Sequence, residues 1–179
     1  MVAYAISDPS TLTFQTLNSD IKRFSTKSTM IVYRDKSSKV YRENAQKFII
    51  EASKFSFDKI LLHTDYKLAH RLGAEGVHLK STQQKDIVIA KMLGLFVIIS
   101  THSEEEALIA QELGADMVTF SPIFATPNKG EPKGLKELKR VSNILDIPLI
   151  ALGGIITKEH IALCQKNGAD GFASIRWFS

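Results

Sequence analysis

The chain has 179 residues, 44% of them hydrophobic and 23% charged, a balance that supports one globular domain with a sizeable core. Its net charge is +4, yet no arginine-rich arm or aromatic–basic alternation points to nucleic acid, and the longest apolar run, "MLGLFVII", is too short to span a bilayer. The single cysteine, Cys164, excludes an internal disulfide and a cysteine-built zinc site.

The opening "MVAYAISDPSTLTF" lacks the basic flank and long apolar stretch of an export signal, so the expected compartment is the cytoplasm. Strand-like runs follow at 2–6, 29–33, 59–63, 76–79, 95–100, 116–120, 148–152 and 171–175. Helical periodicity fills the intervals, most clearly at 39–54, 103–113, 134–145 and 157–167. Ser103 is a candidate cap with Glu106 three residues on, and Thr157 is placed in the same way before its helix. One pattern occurs three times: "LAHRLGAEGVHL", "ALIAQELGADMVTF" and "IALCQKNGADGFASI" each run from an amphipathic helix through Gly and Ala-acid into a short apolar strand. Glycine at 73, 114 and 168 can take the left-handed conformation that ends a helix. Eight strands alternating with helices fit a doubly wound sheet or a closed (β/α)8 TIM barrel, and the count favours the barrel. Such a barrel would be short, one domain over 1–179, with the eighth helix missing or reduced to "RWFS".

In a barrel, chemistry gathers on the loops that follow the strands. "YRDK" places Arg34 and Lys36 there, a guanidinium fork and a point charge suited to a phosphate or diphosphate, although the motif alone reads equally as a solvated turn. "ALGGII" puts Gly153 and Gly154 between a strand end and a helix start, where backbone N–H groups can approach a phosphate. His63, His78 and His102 also fall at strand ends, whereas His70 and His160 fall within helices. His78 alternates with Val77 and Leu79, which turns its ring toward the barrel mouth. No His-x-x-x-His pair or acidic cluster marks these loops for a metal.

Taken together, "YAISDP", "VYRDK", "LGAEGVHL", "STHSEEEA", "GADMVTFSPIFATPNKG", "IPLIALGG" and "GADGFA" resemble, in order and spacing, the thiamine phosphate synthase family, which includes the TenI-like proteins. The resemblance covers nearly the whole chain. It implies a (β/α)8 barrel that binds a thiazole phosphate. In synthases it also implies a hydroxymethylpyrimidine diphosphate with Mg²⁺, the two being joined with release of diphosphate. Carried over by position, Arg34, Lys36 and Lys129 match the cations that hold the diphosphate. Thr126, Asn128, Gly154 and the backbone at Ile175 and Arg176 match the thiazole-phosphate cradle, and His78 matches the family histidine.

Several positions depart from the family, among them Asn128 where it has a threonine and Arg176 where it has a serine. Its two magnesium carboxylates fall on Thr64 and Gln83, and the histidine that TenI-like tautomerases carry on the 121–129 loop falls on Pro122. The leading expectation is therefore a TenI-like thiamine-biosynthesis protein that binds thiazole phosphate, with His63, His78 or His102 as base and Lys129 beside them. One alternative is a working synthase, for which Mg²⁺ would be needed; no other cofactor is called for. The other is a non-catalytic phosphate-ligand-binding or regulatory barrel. The expected partners are the phosphorylated thiazole and the pyrimidine diphosphate, with a homo-oligomer left open and neither nucleic acid nor membrane.

Overall fold

The computed structural model describes residues 1–179, and eight parallel strands close on one another in chain order. They are β1 (Val2–Ile6), β2 (Met30–Tyr33), β3 (Lys59–His63), β4 (Gly76–Leu79), β5 (Phe96–Thr101), β6 (Met117–Phe120), β7 (Leu149–Leu152) and β8 (Gly171–Ser174). Seven α-helices run outside them: α1 (Leu17–Ser25), α2 (Tyr41–Ala52), α3 (Tyr66–Leu72), α4 (Asp86–Met92), α5 (Glu104–Glu112), α6 (Gly134–Ser142) and α7 (Lys158–Lys166). The strands match the expected runs to within a residue at either end. Helices α2 and α6 are shorter than their apolar periodicity, ending at Ala52 and Ser142.

The pleat sorts side chains into two cores. Tyr4, Ile6, Met30, Val32, Leu61, Ile98, Ile150 and Ala173 fill the barrel interior. The alternate residues, among them Ile31, Leu62, Val77, Ile99 and Val118, face outward into a larger cluster shared with the helices.

The recurring Gly-Ala-acid corner has a structural use at each site. Gly73, Gly114 and Gly168 take φ of 71°, 91° and 86°, which ends the helix at low cost. The acid then reaches back to the preceding strand. Glu75 accepts from the Ile60 N–H at 2.8 Å, Asp116 from Val97 at 2.7 Å and Asp170 from Leu149 at 2.9 Å. Each carboxylate satisfies a backbone donor at a strand's start, at the end of the barrel remote from the loops that follow the strands.

Where an eighth helix would lie, the last residues fold back. Phe178 is fully buried and stacks on Phe172 at 5.7 Å, and Trp177 meets Phe172 edge-on at 6.3 Å. Two hydrogen bonds fix the segment: Arg23 Nε donates to the Phe178 carbonyl at 3.2 Å and the Trp177 N–H to Ser174 Oγ at 3.1 Å. Two aromatic side chains thus pack on the outside of β8. No helix is long and apolar enough to cross a membrane.

Candidate functional site

The loops after the strands enclose a cavity of about 380 Å³, in the range of small-ligand sites. Its lining includes Arg34 and Lys36 after β2, Lys80 after β4, Lys129 after β6 and Arg176 after β8. His63, His78 and His102 also line it, and no Asp or Glu does. Five basic side chains and no carboxylate line this mouth, a charge balance suited to an anion.

Crowding among those cations is visible at Lys36. Its ammonium loses its proton more readily than an ordinary lysine, first because of Arg34, then burial, then Lys129 and Lys80. Lys36 therefore has three like charges for neighbours, drawn from three different loops.

Another part of the lining is shaped by glycine. Gly153 and Gly154 follow β7 with φ of 100° and 69°. A Cβ on Gly153 would sit 2.7 Å from the Pro122 Cα, and one on Gly154 would sit 2.7 Å from the Ala125 oxygen. The 121–129 loop lies this close because Ile123 N–H donates to the Leu152 carbonyl at 2.9 Å and Phe124 N–H to the Gly153 carbonyl at 3.0 Å. The Phe124 ring also stacks on His160 of α7 at 4.2 Å. The loop is thereby pinned along the end of β7, and Thr126 and Lys129 on it line the cavity. Asn128 does not line the cavity: its backbone takes φ of 59°, a conformation asparagine tolerates, and a turn residue explains it better than a cradle residue.

A buried hydrogen-bond chain runs below the floor. Tyr4 is fully buried, and its hydroxyl lies 2.9 Å from His78 Nδ1, its one partner. His78 Nε2 lies 3.0 Å from Ser100 Oγ. Were the phenol oxygen to accept from Nδ1, its own O–H would be unpaired in the core, at a cost of about 1–3 kcal/mol. The phenol therefore donates to Nδ1, and Nε2–H donates to Ser100. Ser100 is left with its own hydroxyl proton to offer to the cavity.

His63 and His78 are both held neutral. Burial, followed by Arg34, pushes His78 down to about 3. Burial, followed by His78 and the cations Arg34, Lys36 and Lys80, pushes His63 down to about 2. In the unfolded chain each takes a proton near the ordinary pKa of about 6.5. Below that pH the unfolded state binds more protons than the fold, so stability is expected to be full above about pH 6.5 and to fall toward about pH 3. Urea midpoints between about pH 7.5 and about pH 4.5 check this, with a shallower decline in His78→Gln. A wild-type decline no steeper than the variant's would contradict it.

His102 is different. Its Nδ1 lies 3.0 Å from the Ser121 carbonyl, so Nδ1 carries the proton and Nε2 keeps a lone pair with no protein partner. The expected capping box beside it is half made. Ser103 Oγ accepts from Glu106 N–H at 3.1 Å, but the Glu106 carboxylate accepts from His102 N–H at 2.7 Å rather than from Ser103.

The two positions where the resemblance places magnesium carboxylates are otherwise engaged. Thr64 has a left-handed backbone, φ 68°. Gln83 Nε2 donates to the Thr64 carbonyl at 3.1 Å and to Asp86 Oδ2 at 2.9 Å. Asp65 accepts from Leu68 N–H at 2.8 Å, capping α3. None of these four lines the cavity, and no group of three His, Cys, Asp or Glu is placed to hold a metal. A hard divalent cation needs anionic oxygen donors, so these residues do not fit magnesium.

Ser100 falls at a strand end, as a mouth residue should, whereas Lys80 and Tyr4 are not among the expected site residues. Lys80 follows its strand directly, the same signal that marks Arg34. Tyr4 lies mid-strand, and its partner is 74 residues away, beyond any local signal.

Comparison with known proteins gives a consistent result. The family model described as "Thiamine monophosphate synthase" matches residues 3–178. A relative from Aquifex aeolicus, named "Putative thiamine-phosphate synthase 2", is 42% identical over 122 residues, covering 66% of this chain and 65% of its own length. That match therefore spans a little under two thirds of the relative. The "Thiamine-phosphate synthase" of Syntrophomonas wolfei is 31% identical across 96% of this chain and 85% of its own. Among solved structures, a thiamine phosphate pyrophosphorylase from Pyrococcus furiosus superposes with a TM-score of 0.83 at 25% identity, covering 97% of this chain and 85% of that one.

Proposed function

Since the chain belongs to the thiamine monophosphate synthase family, we propose that its barrel mouth binds a thiazole phosphate in thiamine biosynthesis and moves a proton on it, in the TenI-like manner. The single observation that carries the reading is the make-up of the cavity: five cations, three histidines and no carboxylate. Gly153, Gly154, the Ile175–Arg176 backbone and the Arg176 guanidinium take the phosphate, with Thr126 at its edge. The ring then faces Ser100 and His102.

Of the three histidines, His102 is suited to act as base. His78 has both nitrogens engaged and serves to hold Ser100. The His63 ring, pushed down to about 2 by burial first, is a poor proton acceptor. His102 Nε2 takes a proton from one ring carbon, the electron pair shifts within the ring, and the same nitrogen returns the proton to a second position. Nothing leaves, and no metal is used. Charge that develops on the ring during transfer meets the Ser100 hydroxyl and the neighbouring cations.

The alternative, condensation of a pyrimidine diphosphate with thiazole phosphate, is favoured by one observation. Arg34, Lys36, Lys80 and Lys129 line the same cavity, more positive charge than one monophosphate needs. Incubating thiazole phosphate with the protein in heavy water and EDTA separates the readings. Catalysed ring-proton exchange or isomerisation supports proton transfer. No exchange, with no detectable binding of thiazole phosphate, rejects it.

A further inference from the structure

The disagreement between the cavity and a divalent ion has a consequence for how the site would hold a diphosphate. Four cations from three loops line the cavity, Arg34 and Lys36 after β2, Lys80 after β4 and Lys129 after β6, and Lys36 feels the other three. Gly153, Gly154 and Arg176 belong to the adjacent loops after β7 and β8. Lys80 is exposed, so its ammonium is free to turn into the mouth, and its own N–H is tied to the Gln83 side-chain oxygen at 3.2 Å. That same Gln83 side chain holds Asp86 and the Thr64 carbonyl away from the cavity.

We propose that Lys80, together with Arg34, Lys36 and Lys129, forms a metal-free site for a diphosphate group, in which the Lys80 ammonium supplies the charge that a divalent ion would otherwise bring. A diphosphate carries about three negative charges near neutral pH, and four fixed cations can meet them by direct charge-assisted hydrogen bonds. A divalent ion added to the same place would have no carboxylate to bind and four cations to repel it. The lowered proton affinity of Lys36, caused first by Arg34 and then by burial, Lys129 and Lys80, expresses the same crowding. A bound anion would relieve it. The ligand class is an organic diphosphate or inorganic diphosphate itself. The inference does not depend on the thiazole-phosphate reading, because the cradle of that reading uses different residues.

Calorimetric titration of the full chain with inorganic diphosphate tests the assignment. Saturable binding is expected in EDTA, with no tightening when Mg²⁺ replaces EDTA. Lys80→Gln is expected to weaken it roughly tenfold or more, and Lys80→Arg to restore most of the affinity. An unchanged melting temperature for Lys80→Gln shows that the loss is local. Binding that requires Mg²⁺, binding indifferent to Lys80→Gln, or no binding under either condition overturns the proposal. A parallel titration with thiazole phosphate reports separately on the proposed function, so one can fail while the other stands.

Discussion

Truncating Phe178 to alanine is expected to cost about 3–5 kcal/mol of stability, a large share of the margin of a domain this size. Phe178 is fully buried and stacked on Phe172, and Trp177 closes over the same ring. Removing it leaves a hole against Phe172 on β8. The melting temperature should drop by roughly 6–20 °C, whereas Phe178→Leu should recover more than half of the loss. A drop of less than about 2 °C in Phe178→Ala would mean that the terminal aromatic residues are not what closes the barrel here.

His102→Asn is expected to lower thiazole-phosphate proton exchange by about a hundredfold to ten-thousandfold while leaving binding within a few-fold of wild type. The amide N–H of asparagine can keep the contact with the Ser121 carbonyl but supplies no nitrogen lone pair at the Nε2 position. Affinity and catalysis should therefore separate. A variant that exchanges as fast as wild type removes His102 as base. His63 would then be the remaining ring without a hydrogen-bond partner in the site.

Much of the fold is readable in the sequence itself. The three Gly-Ala-acid corners name helix ends and strand starts at the residues where they occur, because a left-handed glycine and a buried strand leave strong local marks. The acid's reach back to the preceding strand is not readable, since its partner backbone at Ile60, Val97 or Leu149 is brought close only by barrel closure. Helix α4 has little periodicity to show. Val88, Ile89 and Met92 on it are exposed, so its apolar residues do not mark one face.

The site divides in the same way. Arg34, Lys36, Lys129, Gly153, Gly154 and Arg176 sit just past strands or on the long loop after β6, and each lines the cavity as its position implies. Asn128 is two residues past Thr126, yet its side chain does not line the cavity, because the turn at 126–129 sets its direction. The tautomer of His78 depends on Tyr4, which lies inside the barrel with nothing polar beside it in sequence. Distant pairing of this kind is set by strand order, not by any short motif.

This barrel is expected to handle phosphorylated ligands with its own cations and without a divalent ion. The direct test supplies hydroxymethylpyrimidine diphosphate and thiazole phosphate together, once with Mg²⁺ and once with EDTA, and measures thiamine phosphate. The yield of thiamine phosphate, including none, is expected to be the same in both. Thiamine phosphate that appears with Mg²⁺ and vanishes with EDTA would contradict it, and would place a metal among residues that offer the ion no carboxylate.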